Sequence, residues 1–121
     1  GDAARVRKTM AGLEAEGEPI PLVLWVITEE LRTLLRIKAQ VDAGRPFSTA
    51  ARENRLWGPR EKLVERVLAR VSTEALESAL LHAADIDRLA KGLSAPRADS
   101  DAWLELTQLA LGIARPTVNI E

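Results

Sequence analysis

The residues best suited to acid–base chemistry or metal binding are few in this sequence. His82 is the sole histidine among 121 residues, and cysteine does not occur. Catalytic triads and zinc sites usually need a histidine together with partner residues. His82 lies between Leu81 and Ala83 in a segment with helical spacing. We therefore interpret it as a histidine on the face or edge of a helix, with neither a catalytic nor a ligating role.

Three pairs of closely spaced carboxylates are the other candidates for acid–base work. They are Glu29 and Glu30, Asp85 and Asp87, and Asp99 and Asp101. Adjacent residues on a helix point in different directions, and residues two apart do not share a face, so the first two pairs cannot converge on one substrate. The third pair is more simply explained by helix capping. We expect no catalytic residue and no enzymatic activity in this chain.

Phosphate-binding loops are also missing from the sequence. Gly12 and Gly17 have the glycine spacing of a P-loop, but Glu18 stands where that motif needs lysine, and no G-x-G-x-x-G occurs. We expect no cofactor and no metal. The absence of cysteine favours a reducing cytoplasmic location, and no apolar run is long enough to span a membrane.

Trp57 is the aromatic residue with the most basic surroundings. Arg55, Arg60 and Lys62 flank it, and residues 32–70 carry ten basic and four acidic side chains although the whole chain has a net charge of −1. A tryptophan beside cations can stack on an unpaired base, so these four residues are candidate contacts for single-stranded or template DNA. There are two alternatives. Trp57 could fill one end of the helical bundle, and the basic side chains could form ion pairs with acidic side chains on other helices.

Apolar residues recur at spacings of three and four along every long segment, which predicts an all-α fold. We expect about five main helices in a compact bundle, forming one domain over residues 1–121 with a frayed tail at 117–121. The expected helices cover residues 2–16, 19–43, 59–71, 73–90 and about 101–113, with a short helix at 48–53 and a polar loop at 93–100.

Capping residues and helix breakers set these boundaries. The expected N-caps are Asp2, Ser48, Ser72 and one of Asp99, Ser100 or Asp101. Pro19, Pro21 and Pro59 suit first turns, where a missing N–H costs nothing, and Gly17, Gly44 and Gly92 suit helix ends.

The apolar residues predict which side chains form the core. Residues 22–27 are apolar on all sides of a helix, which is typical of the centre of a bundle, and we expect Trp25 and Trp103 to be buried. We also expect Leu63, Val64, Val67 and Leu68 to face inward. The second and last helices carry more apolar residues than one small bundle needs, which predicts surface for neighbouring proteins.

Three stretches together resemble the C-terminal domain of the delta subunit of the bacterial DNA polymerase III clamp loader. The first holds Leu13, Glu16-Gly17, Glu18-Pro19, Leu22, Leu24-Trp25, Glu30-Leu31-Arg32, Leu34-Leu35 and Ile37-Lys38. The second holds Leu56-Trp57, Arg60, Val71-Ser72 and Leu76. The third holds Ile86-Asp87, Lys91-Gly92 and the run from Asp101 to Leu106. The stretches follow the family's order over nearly the whole chain, and the 93–100 loop departs from the pattern.

The resemblance implies a helical collar domain without ATPase activity. Its partners would be the collar domains of the tau/gamma and delta-prime subunits, with primer–template DNA nearby. Contact with the sliding clamp would come from an N-terminal region that precedes this stretch. The chain starts at Gly1 without an initiator methionine, so we expect it to be a piece of a longer protein that belongs to the DNA polymerase III holoenzyme.

One further alternative is a helix-turn-helix DNA binder. Its recognition helix would be the segment that carries Arg60, Lys62, Arg66 and Arg70. The chain lacks the overall basic charge that favours such a protein, so we rank this alternative below the collar domain and the template contact.

Overall fold

The computed structural model describes residues 2–93 and 101–114, and within these ranges it contains six α-helices and no strand. The helices are α1 (Asp2–Ala15), α2 (Ile20–Asp42), α3 (Phe47–Glu53), α4 (Pro59–Arg70), α5 (Thr73–Ala90) and α6 (Ala102–Ala114). The all-α prediction is confirmed, with α3 as the expected short helix. The predictions for the loop at 94–100 and the tail at 117–121 lie outside the described residues.

Two predicted N-caps are confirmed by their hydrogen bonds. The Ser72 hydroxyl accepts from the backbone N–H of Ala75 at 3.0 Å, at the start of α5. The two carboxylate oxygens of Asp101 accept from the N–H groups of Trp103 and Leu104, each at 3.3 Å. Each cap satisfies N–H groups that have no partner inside their own helix, which is why these helices start where they do.

The start of α3 differs from the prediction. Ser48 is not its cap, because the helix begins one residue earlier, at Phe47, with Pro46 as the N-cap residue. Pro46 has extended backbone angles, and its carbonyl accepts the first helical hydrogen bond, from Ala50 at 3.1 Å. A proline fixed near φ −65° can enter a helix in this way without a side-chain cap.

Helix α2 runs through the middle of the bundle and contributes to two buried clusters. The α3–α4 cluster consists of Leu31, Leu34, Ile37, Ala50, Ala51, Leu56, Val64, Val71 and Leu76. The α1–α6 cluster consists of Met10, Val23, Leu24, Ala83, Ile86, Leu106 and Leu109. Ile27 packs against both clusters, so the two halves of the core meet at the middle of α2.

Several expected core residues lie at the surface instead. Within residues 22–27 only Val23 and Leu24 are buried, while Leu22, Trp25 and Val26 are exposed. The prediction that Trp25 is buried is wrong, because α5 and α6 pack on Val23 and Leu24 and leave the neighbouring Trp25 ring in solvent.

The inward face of α4 is also narrower than expected. Leu63 is exposed rather than inward-facing, whereas Val64 is buried and Val67 and Leu68 are partly buried. Trp103 packs against the α1–α6 cluster but is only partly buried, so its expected burial is realised in part. Among the described residues, no helix combines the length and the apolar character that are required to cross a lipid bilayer.

Candidate interaction surfaces

The first half of α2 presents a large apolar surface to solvent. Leu22, Trp25 and Val26 occupy positions i, i+3 and i+4, so they share one face of the helix. Each is more than half exposed, and Trp25 is 61% exposed. We call these three residues the α2 stripe. A cluster of this kind on a small domain is typical of a protein-binding surface.

Grooves lie on both sides of Trp25. The larger groove, of about 440 Å³, runs between α2 and α5 and is bordered by Leu24, Thr28 and Ala84. The smaller groove, of about 250 Å³, runs toward the start of α4 and is bordered by Val26 and Thr33. A tryptophan between two grooves can be enclosed on both ring faces by a partner, which is the environment of many interface hot spots.

Paired charges form the edge of the α2 stripe. The Arg32 guanidinium donates to Glu29 at 2.7 Å, and Arg60 donates to both carboxylate oxygens of Glu30 at 2.6 and 2.8 Å. Glu29 and Glu30 therefore each have their own arginine partner. An apolar centre with a polar, charge-compensated rim is the usual anatomy of a protein interface.

The connector between α3 and α4 places Trp57 in solvent. Leu56 is 2% exposed and fills the end of the bundle, whereas Trp57 is 72% exposed. The interpretation of Trp57 as a plug is therefore wrong, and its neighbour Leu56 has that role. Arg55 has a left-handed backbone with φ 61°, and its side chain is exposed.

The four predicted DNA-contact residues are not equivalent in the structure. The Arg60 side chain turns to α2, where Glu30 neutralises its charge. Arg55 and Lys62 are exposed, and in the described part of the chain neither forms an ion pair. Of the three basic residues that flank Trp57 in the sequence, Arg60 is therefore the one that forms an ion pair within the described residues.

Ion pairs and hydrogen bonds within the protein account for part of the basic middle region. Arg45 pairs with Glu53, in addition to the pairs of Arg32 and Arg60. Arg36 donates to the Asn54 side chain at 3.2 Å, and Lys38 donates to the Leu68 carbonyl at 3.3 Å. Some of the basic side chains in this region thus have partners within the protein, whereas others, such as Arg55 and Lys62, face solvent.

His82 has a specific partner that the sequence did not reveal. Its Nε2 atom lies 2.8 Å from a carboxylate oxygen of Glu105, which is 6% exposed. The contact joins α5 to α6 across 23 positions of the sequence. No local spacing rule relates residues so far apart. Asp85 is also buried, whereas Asp87 is partly exposed and accepts from Lys91 at 2.8 Å, so this carboxylate pair diverges as predicted.

The surroundings of His82 include a hydroxyl side chain. Ser78, one helical turn earlier, borders the same groove of about 280 Å³ between α5 and α6. No hydrogen bond joins its hydroxyl to the histidine, so the contact between nucleophile and base is not formed. Across residues 2–93 and 101–114, no three His, Asp or Glu side chains cluster closely enough to hold a metal ion.

No protein-family model, curated protein or solved structure matches this chain.

Proposed function

We propose that this chain is a non-catalytic assembly domain of the delta subunit of the bacterial DNA polymerase III clamp loader. In this role it packs against the collar domains of the tau/gamma and delta-prime subunits. The observation that carries the proposal is the α2 stripe, because Leu22, Trp25 and Val26 are apolar side chains that this bundle leaves uncovered.

The placement of the motif residues supports the proposal. Glu30 belongs to the first stretch that resembles the delta family and Arg60 to the second, and the two side chains are bonded across α2 and α4. Leu31, beside Glu30, is fully buried. Trp103, from the third stretch, packs on the α1–α6 cluster. The three stretches thus meet in one structural unit, which is the arrangement that a single collar domain would need.

The energetics also favour association through the α2 stripe. Burying apolar surface releases about 25 cal/mol per Å², and tryptophan is among the residues enriched at interface hot spots. Glu29 and Glu30 already have arginine partners, so a partner that covers the stripe need not bury an unpaired carboxylate there.

Reconstitution of the complex tests the proposal. The chain should co-purify with the tau/gamma and delta-prime subunits mixed together, and Trp25→Ala should weaken that association at least about 30-fold, the size of a 2 kcal/mol hot spot. Trp57→Ala is the matched control, because it removes an exposed tryptophan from a different surface. Absence of any complex, or equal losses for the two variants, would count against the proposal.

A second candidate role is contact with single-stranded or template DNA through Trp57. The observation that favours it is the 72% exposure of this ring, which lies close in the sequence to the exposed Arg55 and Lys62. Removing one base-stacking aromatic costs about 1–3 kcal/mol, so Trp57→Ala should weaken oligonucleotide binding by about 5- to 150-fold.

Fluorescence anisotropy with a labelled oligonucleotide checks this role. Binding should weaken as salt rises, because cations that hold phosphates release counterions. Lys62→Ala should reduce affinity more than Arg60→Ala, since Glu30 already engages Arg60. Trp25→Ala serves as the control and should bind like the parent. Equal affinities for Trp57→Ala and the parent would eliminate the DNA contact.

A further inference from the structure

A second apolar surface lies on another side of α2. Helices α1, α2, α4 and α6 enclose an open cleft of about 360 Å³. Its walls include Ile27 and Leu34 of α2, Leu63 and Val67 of α4, and Ile113 of α6. Leu63 is more than half exposed there. The cleft thus contains a large aliphatic side chain that the bundle itself does not cover.

The rim of this cleft is positively charged. Arg5 of α1 and Arg70 of the last turn of α4 border it, and both side chains are exposed. Within the described residues neither arginine forms an ion pair. The one carboxylate at the rim, Glu30, is bound on both oxygens by Arg60. Two arginines from different helices therefore border the apolar cleft, and neither has an acidic partner among the described residues.

We propose that this cleft docks an amphipathic helix of a partner protein whose apolar face is flanked by acidic residues. Apolar side chains at i, i+3 or i+4 would enter the cleft, in the manner of a helix in a groove. Carboxylates on either side would pair with Arg5 and Arg70, since arginine forms strong two-pronged contacts with carboxylates. The charge of the rim is what selects an acidic helix over a basic one.

This inference rests on the proposed function in one respect, namely that the domain associates with other proteins. It assigns a second contact face, distinct from the α2 stripe. Ile27, Leu31 and Leu34 line the cleft, while Leu22, Trp25 and Val26 lie on a different side of the same helix.

Two designed peptides test the cleft directly. Each is a fluorescein-labelled helix of about 18 residues, or about five turns, with leucines at i, i+3, i+4 and i+7. One carries glutamates beside the leucines, and the other carries lysines at the same positions. Fluorescence anisotropy at low salt should show that the chain binds the acidic peptide about tenfold more tightly, the scale expected from two rim charges.

Charge reversal supplies the matched variants. The double variant Arg5→Glu/Arg70→Glu should lose the preference for the acidic peptide and favour the basic one. Arg52→Glu/Arg66→Glu makes the same change in net charge with two other exposed arginines, neither of which borders the cleft, and should retain the preference. Circular dichroism of each variant establishes that the helices are intact. Equal affinity for the two peptides, or an equal effect of the two double variants, would overturn the proposal.

Crosslinking places the bound peptide on the surface. The chain has no cysteine, so Leu63→Cys and Trp25→Cys each introduce a unique thiol, one in the cleft and one on the α2 stripe. A bromoacetyl group on the acidic peptide should react preferentially with Leu63→Cys. Preferential reaction with Trp25→Cys would show that the peptide binds the α2 stripe and would refute the cleft.

The peptide assays and the reconstitution of the complex can fail separately. Acid-selective binding at the cleft without any association with tau/gamma or delta-prime would retain the cleft and refute the proposed function. Association with those subunits without a preference for the acidic peptide would support the proposed function and refute the docking of an acidic helix at the cleft.

Discussion

The two halves of α2 differ in how many of their apolar side chains are buried in the core. Residues 22–27 form an uninterrupted apolar run, yet Leu22, Trp25 and Val26 are exposed. Residues 31–37 mix apolar and basic side chains, yet Leu31 and Ile37 are completely buried. The half with more apolar residues thus contributes fewer of them to the core.

This difference shows how a helix can serve two environments along its length. In the second half, α3, α4 and the start of α5 pack on the apolar residues, and Arg32 and Arg36 point outward. In the first half, α5 and α6 cover only the side that carries Val23 and Leu24. An all-round apolar run predicts complete burial only if helices surround it on every side. Where they do not, the excess apolar surface is available to a partner.

The largest expected effect is on a core residue in the second half of α2. Ile37→Ala should lower the free energy of unfolding by about 2–5 kcal/mol, because it removes buried methyl groups and leaves a cavity. Urea denaturation followed by circular dichroism measures this change. Ile37→Val is the conservative control and should cost about 0.5–1.5 kcal/mol. A loss below about 1 kcal/mol for the alanine variant would show that the second half of α2 packs loosely. The two halves of α2 would then no longer differ in how firmly they pack in the core.

An intermediate effect is expected in the cluster that supports the first half of α2. The α1–α6 cluster brings together α5 and α6, which the contact between His82 and Glu105 also joins. His82→Ala should lower the free energy of unfolding by about 1–2 kcal/mol, because it removes a hydrogen bond to a buried carboxylate. The double variant with Glu105→Gln should lose less than the sum of the two single losses. Strictly additive losses would mean that the two side chains do not stabilise each other.

The smallest expected effect is on the α2 stripe itself. Trp25→Ala should change the free energy of unfolding by no more than about 0.5 kcal/mol, because the ring is mostly in solvent in the isolated chain. The same urea measurement checks it. A loss above about 2 kcal/mol would place Trp25 in the core and would break the contrast between the halves of α2.

The sequence was a good guide to features that depend on a few neighbouring residues. Ser72 and Asp101 are N-caps because a side-chain oxygen reaches N–H groups only two or three residues ahead. Pro59 lies in the first turn of α4, where the prediction placed it. Local hydrogen bonds and backbone constraints decide such positions, so the order and the approximate bounds of the helices were predictable.

Features that depend on which helices meet were not predictable from the sequence. The exposure of Trp25 depends on the side of α2 that α5 and α6 occupy, and nothing near Trp25 in the sequence specifies it. Glu105 was not linked to His82, because their contact exists only once α5 and α6 pack together. Leu63 has the residue type of a core position but lies at the edge of the buried stripe of α4. The cleft beside Leu63, formed by four helices, could not be predicted for the same reason.

The buried side chain of Leu56 has a consequence for the residues on either side of it. It anchors the connector in the core between Arg55 and Trp57, two residues that face water, and its N–H donates to the Ala51 carbonyl at 2.9 Å. The backbone that precedes the Trp57 indole is therefore held in place by the folded protein. A flat ligand that stacks on the indole meets a preorganised platform, so less conformational entropy is lost on association than with a mobile loop.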